Sequence, residues 1–437
     1  MKIADIDAIN FFTDRDVVAD PFPYFAALRE QCPVRREPHH NVMMVTGYEE
    51  ALAVYSAPES FSSCTSVTGP FPGFPVPLEG KSPAEIDALI AEHRHKLPMN
   101  DQLPTLDPPS HTASRALLMR LITPKRLAEN EAFIYRLTDR TLDALLPRGS
   151  CEYNGEFAAP LAMLVVADLL GVPDEDRDTF RDVLLRKHGH GEQKATDMVG
   201  SADTKMSLNP LEFLYQRFSE YITERRANPR EDVLTSLANA KFPGGATPEV
   251  IDVVRVAANL FAAGQETTVR LLSAGVKILA EDQALQERLR ASPDLLGNFV
   301  EETLRLESPV KGDFRLARCP VQIGGVDIPA GTTVMVLNGA ANRDPRMFKD
   351  PDNFDLERAN ARQQMAFGRG IHSCPGAPLA RAEARIGFRR LLERTRNIRI
   401  SDRHHGPAGA RRYEYVPTFI LRGLTQLHIE FDPAEGT

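Results

Sequence analysis

The chain has 437 residues, 42% of them hydrophobic, and carries a formal net charge of −8 at pH 7. That length allows a large core, or two or three domains of ordinary size, and the acidic balance argues against nucleic-acid binding. The five cysteines (Cys32, Cys64, Cys151, Cys319 and Cys374) lack the spacing of a zinc site or a disulfide framework, so a reducing, cytoplasmic compartment is expected.

Residues 1–7 show no basic region leading into an apolar stretch, so no secretory signal is expected. No apolar run approaches the ~20 residues of a membrane span. The best candidate, 157–172, is broken by Pro160 and Asp168, and no membrane anchor is expected. An amphipathic helix opens at Asp20 and Pro21 and runs through Glu30. Residues 41–48 alternate and suit a strand. The Pro/Gly-rich stretch 68–77, with Phe71, Phe74 and Val76, and the polar helix-like sequence to about Lys96 lack a core pattern and read as a lid. From Ser110 to Leu304, segments of 3.6-residue period dominate, punctuated at 147–149, 171–173 and 243–245. Residues 322–337 read as two strands, and helical pattern returns over 377–395. No linker separates independent domains. One domain over 1–437 is expected, with the first ~20 residues and the last few loose. The fold class is mainly α with a smaller β-rich part near the N-terminal end.

The most specific segment is Phe367-Gly368-Arg369-Gly370-Ile371-His372-Ser373-Cys374-Pro375-Gly376. Gly368, Gly370 and Gly376 suit a backbone that turns tightly and passes close beneath a flat group. The segment resembles the cysteine-ligand signature of the cytochrome P-450 monooxygenases. In that family a cysteine thiolate ligates haem iron and favours O–O cleavage. Cys374 is the implied metal ligand, with Phe367, Gly368 and Gly376 among the implied cofactor contacts.

A second segment, Ala262-Ala263-Gly264-Gln265-Glu266-Thr267-Thr268, interrupts a long apolar helical pattern over 250–279. Gly264 and the two threonines are poor mid-helix residues, and a carboxylate on an apolar helix is costly unless it is partnered or functional. Small Ala263 and Gly264 would admit a cofactor and O₂, and a local groove would free carbonyls for water. The resemblance assigns Thr267 to hydrogen bonding with O₂ and Glu266 to proton relay. Glu302 and Arg305 form an i,i+3 pair. With Arg358 they match the family's buried charge cluster, a structural role. His111 and Arg115 share one helix face. With Arg315 and His372 they match donors to the haem propionates. Asn259, Ala263 and Lys311 are the expected pocket residues. Lys311 would anchor an acidic substrate, pair with Asp313 or reach solvent.

The resemblance covers the chain from about Asp20 to Phe431. It implies the cytochrome P-450 fold, haem b as cofactor, and O₂ as co-substrate. The implied reaction inserts one oxygen atom into a small apolar molecule by hydroxylation or epoxidation. No dinucleotide fingerprint follows a strand, so electrons are expected from a ferredoxin and its reductase, or from a flavodoxin. Arg120, Lys125, Arg126 and Arg369 would form the basic docking patch. A peroxide-driven peroxygenase would replace the acid–alcohol pair, and a haem-thiolate sensor or carrier would not need it. Both rank below the monooxygenase because Glu266 and Thr267 are present. Pro375 departs from the family pattern by removing one backbone donor beside the sulfur. The histidines at 39–40, 93/95, 188/190 and 404–405 read as solvated loop residues rather than metal ligands.

Overall fold

The computed structural model of the protein describes residues 5–187 and 209–434, so His188 and His190 lie outside the described residues. Helix ends follow local chemistry. In α1 (Arg15–Ala19) the Asp14 carboxylate accepts from the Asp16 and Val17 amides, and α2 (Phe22–Gln31) carries Pro23 in its first turn. Next come α3 (Tyr48–Tyr55) and α4 (Pro83–His93), which opens with a Ser82–Glu85 capping box. α5 (Ser110–Leu118) precedes α6 (Pro124–Leu145), capped by Thr123. α7 (Ala159–Leu170) stops at Gly171, whose φ of 77° closes the helix. α8 (Asp174–Lys187), α9 (Asn209–Ala227) and α10 (Val233–Ala238) follow.

The 32-residue α11 (Val250–Glu281) has half of its residues buried and packs against α5, α7, α9 and three later helices. Those include α12 (Gln283–Ala291), α13 (Leu296–Glu307) and α15 (Ala377–Arg394), with the short α14 (Asn338–Ala341) preceding the last. α16 (Asp402–His405) closes the helical set. The main core is therefore a layer of helices wrapped around α11.

Five strands form the larger sheet in the order β1-β2-β8-β5-β3: β1 (Val34–Arg36), β2 (Met43–Val45), β3 (Phe61–Ser62), β5 (Asp313–Ala317) and β8 (Thr333–Val336). β2 and β8 are parallel, with Met43 opposite Val334, and the other pairs are antiparallel. A three-stranded sheet joins β4 (Ser150–Glu152), β10 (His428–Pro433) and β9 (Thr395–Ile400). β6 (Val321–Ile323) and β7 (Val326–Ile328) form a hairpin. The β-rich part thus draws on both ends of the chain, not on the N-terminal region alone.

Other expectations need correction. The strand expected over 41–48 is only three residues, because the Tyr48 amide donates to the Asp344 carboxylate and starts α3. Three strands, not two, occupy the 321–337 region. The N-terminal stretch expected to be loose is anchored by buried side chains: Ile6, Phe11 and Phe12 are buried, and Phe11 stacks on Tyr24 at 5.6 Å. Phe71, expected on a lid, sits in the same aromatic cluster, 5.6 Å from Phe12 and 5.7 Å from Phe419.

Candidate functional site

The loop over 367–376 leads into the N-terminus of α15. Gly370 has φ +69°, and a Cβ there would collide with the Tyr55 carbonyl oxygen, so glycine is required. The loop closes through the Cys374 amide, which donates to the Phe367 carbonyl at 2.8 Å. The backbone amides of Gly376 and of Ala377, the first residue of α15, lie beside the sulfur and favour its charged form, and the Ala377 amide donates to the Cys374 carbonyl at 3.4 Å. Burial pushes the Cys374 thiol pKa up. Those two amides and the Arg115 and Arg381 guanidiniums oppose the rise by favouring the thiolate. Cys374 has an exposed surface, yet protein surrounds the sulfur closely. A Cβ at Gly376 would lie 3.8 Å from Cys374 Sγ, an ordinary contact, so this glycine contributes its amide rather than space. Pro375 lacks an N–H, and the next two amides serve the sulfur in its place.

Four basic side chains converge beside this loop. His111 lies in the first turn of α5 and Arg115 follows one turn later. The His111 and His372 rings are 4.1 Å apart. Arg315 on β5 donates to Asp313 Oδ1 at 3.0 Å and to the Phe314 carbonyl at 2.6 Å. His372 Nε2 lies 3.0 Å from Ser63 Oγ, and the Ser63 amide donates to Asp107. Burial, then the positive charge of Arg115, lowers the His111 pKa to about 4. Burial, then Arg315, lowers His372 to about 2. His111 Nε2 is buried without a hydrogen-bond partner. A crowd of basic groups with an orphaned ring nitrogen calls for anions. The two propionates of haem meet that demand, and a thiolate held by two amides suits the iron, so the residues present fit the group.

On α11, Asn259, Ala263 and Thr267 recur every four residues and form one stripe. Ala263 is exposed midway along α11, where 262 and 264–267 are only partly buried, and Thr267 Oγ1 donates to the Ala263 carbonyl at 2.9 Å. The expected groove is absent: α11 is continuous from 250 to 281, because that hydroxyl bond supplements the helix ladder rather than replacing it. Gly264 also has a packing role: a Cβ there would come 2.9 Å from Val166 Cγ2, so this glycine lets α7 approach α11. Glu266 is partly exposed and pairs with Arg270 one turn on, at 3.3 Å.

The structure brings Glu302, Arg305 and Arg358 together in full burial. Glu302 accepts from Arg305 Nε and Nη2 at 2.7 Å, from Arg358 Nε at 3.0 Å, and from the Asp355 amide at 3.0 Å. Lys311 is a correction. Its ammonium is wholly buried and donates to the Val18 carbonyl at 2.9 Å, so it meets neither Asp313 nor a pocket, and burial drives its pKa well down. In the basic patch, Lys125 and Arg120 are exposed. Arg126 is instead engaged by Glu129 and by the Asp168 and Leu169 carbonyls at the end of α7. Arg369 donates to the Gln363 and Gln364 carbonyls. His93 and His405, read as solvated, are buried. Sequence reasoning missed Glu301 and Arg381, which adjoin the cysteine loop; the signal was Glu301 beside Glu302 on one short helix.

Among the described residues no helix is long and apolar enough to cross a membrane. The sequence profile of the family described as Cytochrome P450 matches residues 205–398. Cytochrome P450 144 of Mycobacterium tuberculosis is 35% identical over 96% of this chain and 91% of that protein. Cytochrome P450 monooxygenase PikC of Streptomyces venezuelae is 32% identical over 98% of this chain and 94% of its own length. The solved structure of Mycobacterium marinum cytochrome P450 CYP150A6, substrate-free, superimposes with a TM-score of 0.91 at 52% identity, covering 98% of this chain and 100% of that one. With relatives this similar along nearly its whole length, the chain belongs to the cytochrome P450 family and is a haem-dependent monooxygenase that uses O₂.

Proposed function

We propose that Cys374 is the thiolate ligand of haem b and that His111, Arg115, Arg315 and His372 hold its propionates. Glu266 and Thr267, on α11, would supply protons. The observation that carries this reading is Cys374 beneath the Gly376 and Ala377 amides, beside four converging basic groups. Bound there, haem supplies the chemistry that splits O₂ and oxidises the substrate. The balanced reaction takes R–H, O₂, two electrons and two protons to R–OH and water; an alkene gives an epoxide on the same account.

The chain's own residues have separate tasks. The Gly376 and Ala377 amides at the start of α15 stabilise negative charge on the sulfur and temper its donor strength. Thr267 is held on the α11 stripe by its bond to the Ala263 carbonyl, and rotation about its Cβ–Oγ bond frees the hydroxyl proton for another acceptor. Glu266 is exposed enough to take protons from water and sits next to that threonine. Asn259 and Ala263 line the space for a small apolar substrate, while Lys311 is reserved for the Val18 carbonyl. Residues 1–437 act as one catalytic unit. Electrons come from a ferredoxin with its reductase, or from a flavodoxin, docking near exposed Lys125 and Arg120.

The test is turnover with ¹⁸O₂ in the presence of ferredoxin, reductase and NAD(P)H, using ligands selected by a Soret shift. The proposal requires one labelled atom per product and dependence on the electron-transfer chain. Product formed equally well with peroxide alone points to a peroxygenase.

A further inference from the structure

We infer that Arg381 is a positioning residue for the Cys374 loop: clamped by Glu301, its guanidinium braces the Phe367 ring and holds a fixed positive charge beside the sulfur. The inference rests on the proposal that Cys374 ligates haem. Arg381 lies one turn into α15 and reaches back to α13. Its Nε donates to Glu301 Oε1 at 2.6 Å and its Nη2 to Glu301 Oε2 at 3.2 Å. The guanidinium carbon then sits 4.7 Å from the centroid of the Phe367 ring, within cation–π range.

The circuit closes on the loop itself. Glu301 is buried and also accepts from Gln364 Nε2 at 3.1 Å, while Gln364 Oε1 accepts from the Ala366 amide at 2.6 Å. Phe367, the next residue, gives its carbonyl to the Cys374 amide. One buried carboxylate thus holds the loop twice: through Gln364 to the backbone, and through Arg381 to the face of Phe367. A planar fork is needed because the same group must bind a carboxylate edge-on and cover a ring, which an ammonium cannot do. The Arg381 guanidinium lies over Phe367, whose carbonyl holds the Cys374 amide at 2.8 Å, so its charge is carried within one residue of the cysteine backbone.

Two consequences separate charge from shape. A fixed cation favours the state with one more electron, so its loss makes the ferric–ferrous potential more negative. Loss of the planar brace loosens the loop instead.

The experiment is a redox titration of the haem-loaded wild type, Arg381→Gln and Arg381→Lys, with the ferrous–CO spectrum and the rate of haem loss measured on each. Arg381→Gln is expected to shift the ferric–ferrous equilibrium toward ferric by at least about threefold, about 28 mV for a one-electron couple. Arg381→Lys is expected to keep the wild-type potential and to lose haem faster. An unchanged potential in Arg381→Gln overturns the inference, as does an equal shift in both variants. If Arg381→Gln retains no haem, Glu301→Gln decides: deleting the anion must move the potential to more positive values, and no movement overturns the inference. Absence of the red-shifted ferrous–CO band in the wild type defeats the ligand assignment instead, so the two failures are distinguishable.

Discussion

Glu302→Gln deletes one anion between two buried guanidiniums. Arg305 is fully buried; apart from Glu302, it donates to the carbonyls of Asn342 at 2.9 Å, Pro351 at 2.6 Å and Asn353 at 3.1 Å. Arg358 donates to the Lys349 carbonyl at 2.5 Å and to the Asn353 carbonyl at 3.1 Å. Those carbonyls remain after the substitution, but the charge that balanced both cations does not. Breaking such a buried set costs about 3–5 kcal/mol. For 437 residues, an unfolding entropy of ~2.1 cal/mol/K per residue gives ~0.9 kcal/mol/K, so the melting temperature should fall by ~3–5 °C. The control is Glu357→Gln, which breaks the exposed Arg288–Glu357 pair. Such a surface pair contributes at most ~1 kcal/mol, or ~1 °C on the same conversion. Circular dichroism melts of both variants make the comparison. Equal losses would refute the reasoning that burial makes the Glu302 cluster costly to break.

Lys311→Met should change how stability depends on pH. Burial lowers the folded-state pKa of Lys311, so the unfolded chain binds the proton more tightly. Wild-type stability should then gain from rising pH between the depressed folded value and the ordinary lysine value, and the variant should lack that gain; parallel urea midpoints across neutral to alkaline pH would reject it. Thr267→Ala should leave haem and ligand binding intact while diverting electrons to peroxide or water, read as the ratio of product to NAD(P)H consumed; unchanged coupling speaks against the role. Glu266→Gln should slow turnover within the ~10²–10⁴-fold span of acid–base assistance. Charge reversal at Lys125 and Arg120 should slow reduction by an acidic ferredoxin at low salt and flatten its salt dependence; stopped-flow rates that match wild type at every salt concentration would remove those residues from the docking surface.

The cysteine loop was readable because its glycines answer to local geometry: the left-handed backbone at Gly368 (φ +62°) and Gly370 (φ +69°) is a constraint that one short segment carries by itself. The histidine and arginine donors were readable for a different reason, since His111 and Arg115 are one turn apart and share a face. What the sequence concealed depends on contacts between distant segments. Gly264 faces Val166, nearly a hundred positions earlier, so no local pattern separates a helix-packing glycine from a cofactor-clearing one. Lys311 reads as a surface cation until the Val18 carbonyl is placed against it. Arg126 likewise looks free in the sequence and is bound by the end of α7. The strand at 43–45 is cut short by Asp344, a residue from the other end of the chain. The Glu301–Arg381–Phe367 circuit spans three elements and has no signature in any one of them.

The ferrous–CO difference spectrum of Cys374→Ser against wild type tests the central claim most directly. The wild-type protein should show the red-shifted Soret band of thiolate-ligated haem. The serine variant should lose that band, while His111, Arg115, Arg315 and His372 remain in place to receive the propionates. A variant that keeps the band would show that Cys374 does not ligate the iron and would contradict the account.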